Sequence, residues 1–115
     1  PFAEAEPGAT GLELLLSLAL KWSQEAGVPL ARALGVVTCE PARVLGAALG
    51  TLSASVGKLV EGGVGDLCIV DPQAHWTVAP GTLCSQGKHT PFGGYELPGR
   101  VRFTLVGGQV AFERD

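Results

Sequence analysis

The amino-acid sequence predicts an α/β chain in which three helices come first and a small set of strands follows. Up to Gly46 the apolar residues recur at helical spacing. Beyond Gly46, glycine, serine and β-branched residues replace the helix formers, and strands and helices do not alternate. We therefore place a boundary near Leu52 and expect two units, at residues 1–52 and 53–115.

The first helix is predicted to begin at Thr10 and to end at Gly27. Thr10 and Glu13 have the spacing of a capping box, in which each side chain accepts a hydrogen bond from the other residue's amide. Gly27 precedes Val28-Pro29, and glycine tolerates the left-handed conformation at a helix end. Apolar residues lie on nearly all sides of this helix, so we expect it to need cover from another layer. They are Leu12, Leu14, Leu15, Leu16, Leu18, Ala19, Leu20 and Trp22.

Two shorter helices are predicted to follow. One runs over about residues 29–34, and the next begins after Thr38. Pro41 falls in the first turn of the later helix, where its missing N–H costs nothing, and Gly46 ends it.

The second unit is predicted to be a small sheet. We expect strands at residues 67–70, 75–78, 101–106 and 109–112. Gly107-Gly108 has the composition of a two-residue type I′ turn, which would join the last two strands as a hairpin. The stretch at residues 80–98 is rich in glycine and proline, and we expect it to be irregular.

Composition limits the classes of partner. Of the 115 residues, 46% are hydrophobic and 17% are charged, so the chain can bury the core of one modest domain. The net charge is −3 and the eight Lys and Arg are scattered, which argues against a nucleic-acid partner. The longest apolar run, at residues 14–20, is far shorter than the roughly 18–20 residues that cross a bilayer. We expect no membrane segment, a cytoplasmic location and reduced thiols at the three widely spaced cysteines.

No set of residues predicts catalysis or metal binding by this chain alone. Five residues separate Gly81 from Gly87, where a phosphate-binding loop has four, and His89 stands where that loop requires Ser or Thr. Cys84 and His89 lie five apart with His75 upstream, but structural zinc needs four ligands and no second close pair accompanies them. We therefore predict no catalytic residue, no metal ligand and no cofactor in these 115 residues.

Two features suggest that the chain is incomplete by itself. It begins at Pro1 and contains no Met. Its first helix is also too apolar for a small sheet alone to cover. We expect either a piece of a longer protein or a chain that associates with another copy of itself.

Residues 57–72 (GKLVEGGVGDLCIVDP) join a glycine-punctuated turn to an apolar strand that ends in Asp-Pro. This run resembles the segment of amidohydrolase-superfamily enzymes that leads the chain out of the catalytic barrel into a small β-sandwich. Gly65 stands where that family usually has alanine.

Two further segments narrow the resemblance to dihydroorotases and their inactive relatives. Residues 1–13 (PFAEAEPGATGLE) look like the loop and helix start that follow the last metal-binding aspartate of the barrel. Residues 85–101 (SQGKHTPFGGYELPGRV) are similar to the family's Ser-x-x-x-Asn-Thr-Pro-Phe motif and the strand after it, with His89 in place of the usual Asn.

The resemblance implies that residues 1–52 are the last loop and helices of a (β/α)8 barrel. Residues 53–115 would be strands of the small composite β-sandwich. The resemblance also implies a zinc-dependent dihydroorotase. Such an enzyme interconverts carbamoyl aspartate and dihydroorotate in pyrimidine biosynthesis through a metal-bound hydroxide. The family's metal ligands and its proton-shuttling aspartate come from earlier barrel strands, so we expect this chain to be inactive alone.

Pro7 and Gly8 are the substrate-binding residues that the resemblance implies. They align with loop residues whose backbone approaches the substrate carboxylate. Relatives commonly have Phe at the position of Pro7, and proline has no amide to donate, whereas Gly8 keeps its N–H. The alternative is that Pro7-Gly8 is only a turn before Thr10.

Two other identities stay open. Inactive dihydroorotase-like chains serve as structural partners of aspartate transcarbamoylase, and this chain resembles that group at least as well. An allantoinase or hydantoinase would use the same C-terminal segment. Intact metal ligands upstream would indicate an enzyme, and their loss would indicate a scaffold.

Overall fold

A computed structural model describes residues 2–5 and 7–115. Helices come first and a three-stranded antiparallel sheet follows, so the predicted α/β order is confirmed. The α-helices are α1 (Leu15–Ala26), α2 (Leu30–Val37) and α3 (Cys39–Leu45), and the strands are β1 (Leu67–Thr77), β2 (Glu96–Val106) and β3 (Gln109–Glu113). Short 3-10 helices lie at Phe2–Glu4, Leu12–Leu14, Gly46–Ala54 and Pro80–Thr82. The division into units at residue 52 stays a prediction.

The first helix differs from the prediction at its start and agrees with it at its end. A 3-10 turn precedes α1, and Gly11 occupies its N-cap position without a side-chain hydrogen bond. The predicted capping box between Thr10 and Glu13 is therefore wrong. At the other end, Gly27 adopts a left-handed conformation (φ 63°) and its N–H donates to the Ser23 carbonyl, as glycine at a helix C-terminus was expected to do.

Helix α2 runs three residues beyond its predicted end at Leu34 and stops before Thr38. The Thr38 hydroxyl donates to the Leu34 carbonyl (2.7 Å), which satisfies one of the carbonyls left unpaired in the last turn of α2. Helix α3 follows at once and ends at Gly46 (φ 49°), as predicted.

The stretch Leu30–Ala54 has the length and composition of a membrane-crossing helix, and among the described residues it is the one stretch that does. It is largely exposed. The backbone leaves the helical conformation at Thr38, Gly46 and Gly50, so the stretch is a chain of short helical pieces. It is weak evidence for a membrane span, because one apolar stretch selected by length and composition often belongs to a soluble protein.

The sheet has the order β1-β2-β3. The two predicted strands at residues 67–70 and 75–78 form one strand, β1, because Asp71 stabilises an irregularity between them. Its carboxylate accepts hydrogen bonds from the amides of Gln73 (3.0 Å) and Ala74 (3.2 Å). Pairing with β2 resumes at His75.

Strand β2 begins at Glu96, five residues before the predicted start at Val101, because Leu97 and Pro98 pair with β1. The prediction that residues 80–98 are irregular is therefore wrong at the end of that range. The turn between β2 and β3 is as predicted: Gly107 (φ 57°) and Gly108 (φ 79°) both have the positive φ of a type I′ turn.

The buried core lies where the start of α1 meets the ends of β1 and β2 and the loop between them. Its buried members are Leu14, Val78, Leu83 and Leu97, with Leu18, Trp76 and Phe92 packed against them. Helix α1 docks on β2 at Gly99, whose carbonyl accepts a hydrogen bond from the Ser17 hydroxyl (3.0 Å). In contrast, Leu12 is 89% exposed and Leu15 is 52% exposed, so part of the apolar surface of this region has no cover within the described residues.

Candidate functional site

The two sequence-predicted site residues, Pro7 and Gly8, lie in an exposed, irregular segment just before the 3-10 turn at Leu12–Leu14. Gly8 has a φ of +78°, a conformation that favours glycine. A Cβ at Gly8 would meet open space, so the requirement for glycine there comes from the backbone and not from packing. Among the hydrogen bonds between described residues, none uses the Gly8 amide. That N–H faces no competing protein acceptor in the described part of the chain.

The segment at residues 7–10 is tied to the loop between β1 and β2. The Thr10 amide donates to the His89 carbonyl at 2.6 Å. A Cβ at Gly87 would come within 2.7 Å of the Thr10 hydroxyl oxygen, so the two stretches approach too closely for a side chain at residue 87. Gly8 is thus two residues from a fixed point on the C-terminal half of the chain.

Glu13 makes the second tie. Its carboxylate accepts hydrogen bonds from the amides of Cys84 (2.9 Å) and Ser85 (2.8 Å) and from the Ser85 hydroxyl (2.6 Å). Three donors to one carboxylate form a strong, charge-assisted contact. The predicted role of Glu13, which was to cap its own helix, is replaced by this contact across the chain.

The electrostatics of Glu13 follow from these donors. Burial by itself raises the pKa of the carboxyl group. The hydrogen bonds from Ser85 and Cys84 and the charge of Lys88 act in the other direction and outweigh it, so the pKa of Glu13 is lowered. Glu13 therefore remains ionised in the neutral range and holds the loop as an anion.

The loop at residues 80–95 has its own internal bonds, which make it a firm support. The Lys88 ammonium donates to the Leu83 carbonyl (2.6 Å), and the Gly94 amide donates to the Val78 carbonyl (2.8 Å). The Phe92 and Tyr95 rings meet edge to face with centroids 5.7 Å apart. Residues 7–10 with Glu13 form one side of the contact across the chain and residues 83–89 form the other. We call the two sides together the clamped loop pair.

The residues that the sequence raised as metal candidates are not brought together as a metal site. Within residues 2–5 and 7–115 no group of three or more His, Cys, Asp or Glu side chains has the geometry to hold a metal ion. His75 is exposed, with Nδ1 2.9 Å from the Gln73 carbonyl, and Cys84 and His89 are both exposed. The expectation that this segment supplies no metal ligand stays a prediction.

Sequence reasoning missed the clamped loop pair because its partners are far apart in the chain. Glu13 accepts hydrogen bonds from Cys84 and Ser85, which lie 71 and 72 positions later in the sequence. The local pattern Thr10-Gly11-Leu12-Glu13 favoured a capping box, and no local pattern points from Glu13 to Ser85.

The chain is similar along almost its full length to part of several dihydroorotases. It is 39% identical over 113 residues to the dihydroorotase of Geobacter metallireducens, a match that covers 98% of this chain and 25% of that protein. These similarities support the assignment of this chain to the amidohydrolase family. The chain spans about a quarter of the length of the curated relatives that it matches. No family model matches it.

Relatives that carry the name dihydroorotase-like protein are as similar. The identity is 40% over 113 residues for the one from Pseudomonas aeruginosa and 41% over 110 residues for the one from Pseudomonas putida. They cover 98% and 96% of this chain, and 25% and 24% of their own lengths.

Parts of solved hydantoinase structures share the fold of this chain. A D-hydantoinase aligns with a TM-score of 0.82 at 21% identity, over 97% of this chain and 23% of its own length. The D-hydantoinase (dihydropyrimidinase) from a Thermus species aligns with a TM-score of 0.80 at 24% identity, over 97% of this chain and 24% of its own length. At these identities the likeness concerns the fold alone.

Proposed function

We propose that this chain is the C-terminal segment of a dihydroorotase-type cyclic amidohydrolase, the enzyme that interconverts carbamoyl aspartate and dihydroorotate in pyrimidine biosynthesis. The observation that carries the proposal is the 39% identity to a dihydroorotase over 113 of the 115 residues. In this proposal residues 1–52 are the last loop and helices of the barrel, residues 53–115 are strands of the small sandwich, and the protein is cytoplasmic.

The segment's own part in the site is the Gly8 amide. We propose that it donates to the substrate carboxylate, and that Pro7, which has no N–H, contributes only contact and shape. The clamped loop pair supports this role, because it fixes the chain two residues after Gly8 through the bond between Thr10 and His89. A donor held in place before the substrate arrives loses little entropy on binding.

Zinc is the metal that the proposed activity requires, and it would supply the attacking hydroxide. The described residues of this chain hold no group fit to bind it. The proposal therefore assigns every metal ligand and the proton-transferring group to residues outside this segment, and the 115-residue chain is expected to be inactive by itself.

The test is made on the full-length protein that includes these residues. Glu13→Gln loosens the clamped loop pair without touching the reacting atoms. We expect the KM for dihydroorotate to rise several-fold while kcat changes less, because ground-state and transition-state binding are weakened together. Glu25→Gln is the matched control, since Glu25 pairs with Lys21 on the exposed side of α1. An unchanged KM in Glu13→Gln would contradict the role of this segment in substrate binding.

A non-catalytic scaffold is the second candidate. The 40% and 41% identities to dihydroorotase-like proteins favour it as strongly as the first match favours the enzyme. In this reading the full-length protein binds aspartate transcarbamoylase as a structural subunit. Elemental analysis and an activity assay separate the two: bound zinc with turnover supports the enzyme, and a metal-free, inactive protein that co-sediments with aspartate transcarbamoylase supports the scaffold.

A further inference from the structure

A cavity of about 220 Å³ lies between the start of α1 and the sheet. Two arginines line it, Arg100 and Arg114, both at the end of the β2–β3 pairing away from the Gly107-Gly108 turn, together with the aromatic rings of Trp76 and Phe112. The guanidinium of Arg100 lies 5.4 Å from the centre of the Trp76 ring, and that of Arg114 lies 5.3 Å from the centre of the Phe112 ring.

Each arginine is therefore oriented by an aromatic ring and not by an acid. Stacking a guanidinium on a ring leaves its N–H donors free in the plane. Among the described residues the ion pairs are Lys21–Glu25 and Arg32–Glu40, and neither includes Arg100 or Arg114. The two cationic groups are without an acidic partner in the described part of the chain.

The two charges also oppose each other. Burial lowers the pKa of Arg100 and the nearby charge of Arg114 lowers it further. Glu13 lines the same cavity, but its carboxylate accepts three hydrogen bonds from Cys84 and Ser85 and is committed to the loop. Two like charges that share a cavity and form no ion pair with its one carboxylate, that of Glu13, are relieved by an anion bound between them.

The walls are rigid enough to form a site. The Trp76 indole N–H donates to both the Ser17 hydroxyl and the Gly99 carbonyl, each at 3.1 Å. This bifurcated bond holds the ring on which Arg100 stacks. We propose that the cavity is a binding site for an oxyanion, a carboxylate or a phosphate, with Arg100 and Arg114 as its donors.

A free small anion and an acidic side chain from a neighbouring polypeptide segment share this chemistry. The experiment follows the Trp76 indole N–H in two-dimensional NMR spectra of the 115-residue chain while inorganic phosphate is added at constant ionic strength. The indole of Trp22 is the internal control, because Trp22 does not line the cavity. A second titration uses N-acetyl-aspartate N-methylamide, which imitates an acidic side chain.

We expect the Trp76 signal to shift and saturate while that of Trp22 stays in place. The response should be lost, by at least tenfold in affinity, in Arg100→Gln and in Arg114→Gln. It should be weakened but kept in Arg100→Lys, which retains the charge without the planar fork. Arg102→Gln removes the same charge from the same strand outside the cavity and should bind as the parent does. Because the whole chain carries a net charge of −3, saturation cannot arise from its overall charge.

Saturation by phosphate identifies a free oxyanion as the ligand, and saturation by the blocked aspartate alone identifies an acidic side chain. The proposal is overturned if neither probe saturates the shift, or if Arg102→Gln weakens binding as much as Arg100→Gln. Both results are read from Trp76 and do not depend on catalytic activity, so they are independent of the function proposed above.

Discussion

The Leu20 side chain lies against the backbone of Gly99, in the space where any other residue would carry its Cβ atom. Gly99 also has a φ of +92°, which side-chain-bearing residues rarely adopt. Close contact at this point lets Ser17 reach the Gly99 carbonyl and so docks α1 on β2. The strand needs glycine here for two independent reasons.

Replacing Gly99 with alanine tests both reasons together. We expect Gly99→Ala to lower the free energy of unfolding by about 2–4 kcal/mol, from backbone strain and from overlap with Leu20. Chemical denaturation measures it. Gly94→Ala is the matched control: its φ is +82° but its Cβ would meet open space, so only the strain of about 1 kcal/mol should appear. Equal losses in the two variants would show that Leu20 moves aside without cost.

A second prediction concerns Gly65, the residue that stands where amidohydrolases usually have alanine. Its carbonyl accepts a hydrogen bond from the Gly108 amide (2.9 Å), and a Cβ at residue 65 would lie 2.7 Å from that same nitrogen. Gly65→Ala should therefore destabilise the chain by about 1–3 kcal/mol through displacement of the β2–β3 turn.

The control for Gly65 is Gly81→Ala, since a Cβ at residue 81 has open space and no positive φ opposes it. Thermal unfolding of both variants gives the comparison. If Gly65→Ala unfolds at the same temperature as the parent chain, the turn at Gly107-Gly108 is free to shift and the close approach does not affect stability.

The third prediction is a pH dependence that arises from Glu13. The pKa of its carboxyl is lowered in the folded chain from an ordinary value of 4.5. A carboxyl of this kind stabilises the fold fully above its unfolded pKa, and the contribution is lost as the pH falls through its folded pKa. We expect Glu13→Gln to cost about 1–2 kcal/mol near neutral pH and progressively less below about pH 4.5.

Urea unfolding of the parent and of Glu13→Gln, from about pH 7 down to about pH 3, measures this difference. Glu25→Gln should give a small difference at every pH, because its pair with Lys21 is exposed. If the difference in unfolding free energy between the parent and Glu13→Gln stays constant over this pH range, the ionised carboxylate is not what holds Cys84 and Ser85.

The fourth prediction is self-association through the uncovered apolar surface before and along α1. Leu12 is 89% exposed and Leu15 is 52% exposed, and both line one large apolar cleft. We expect sedimentation velocity of the 115-residue chain to show oligomers that increase with concentration. The double change Leu12→Lys and Leu15→Lys should shift the distribution to monomer.

Leu59→Lys is the control for charge alone, since Leu59 is 83% exposed but lies outside that cleft. It should leave association unchanged. A parent chain that sediments as a monomer at every concentration contradicts the prediction.

The features that could be predicted from sequence are those set by neighbouring residues. Gly27 ends α1 and Gly107-Gly108 turns the hairpin, because in each case a positive φ is required at a known offset from a periodic pattern. Pro72 suggested a break in the first strand. The strand continues past it because the Asp71 carboxylate accepts hydrogen bonds from two nearby amides. That outcome depends on how β2 pairs on both sides of the irregularity.

The candidate site was predictable only in part. The resemblance to dihydroorotases pointed to Pro7 and Gly8, but what fixes their position is a set of bonds to residues 84–89. Such contacts depend on the whole fold and leave no periodic trace in the chain. The arginine-lined cavity was missed for the same reason, since Arg100 and Arg114 meet only after β2 and β3 have paired.

The tie between Glu13 and Ser85 has a consequence for the order of folding during synthesis. The N-terminal segment leaves the ribosome first, yet its anchors at residues 84–89 are made some 71 residues later. Closing so long a loop is entropically costly until the sheet has brought the two ends near each other. The Gly8 backbone should therefore be among the first parts of the segment to be synthesised and among the last to reach its final place.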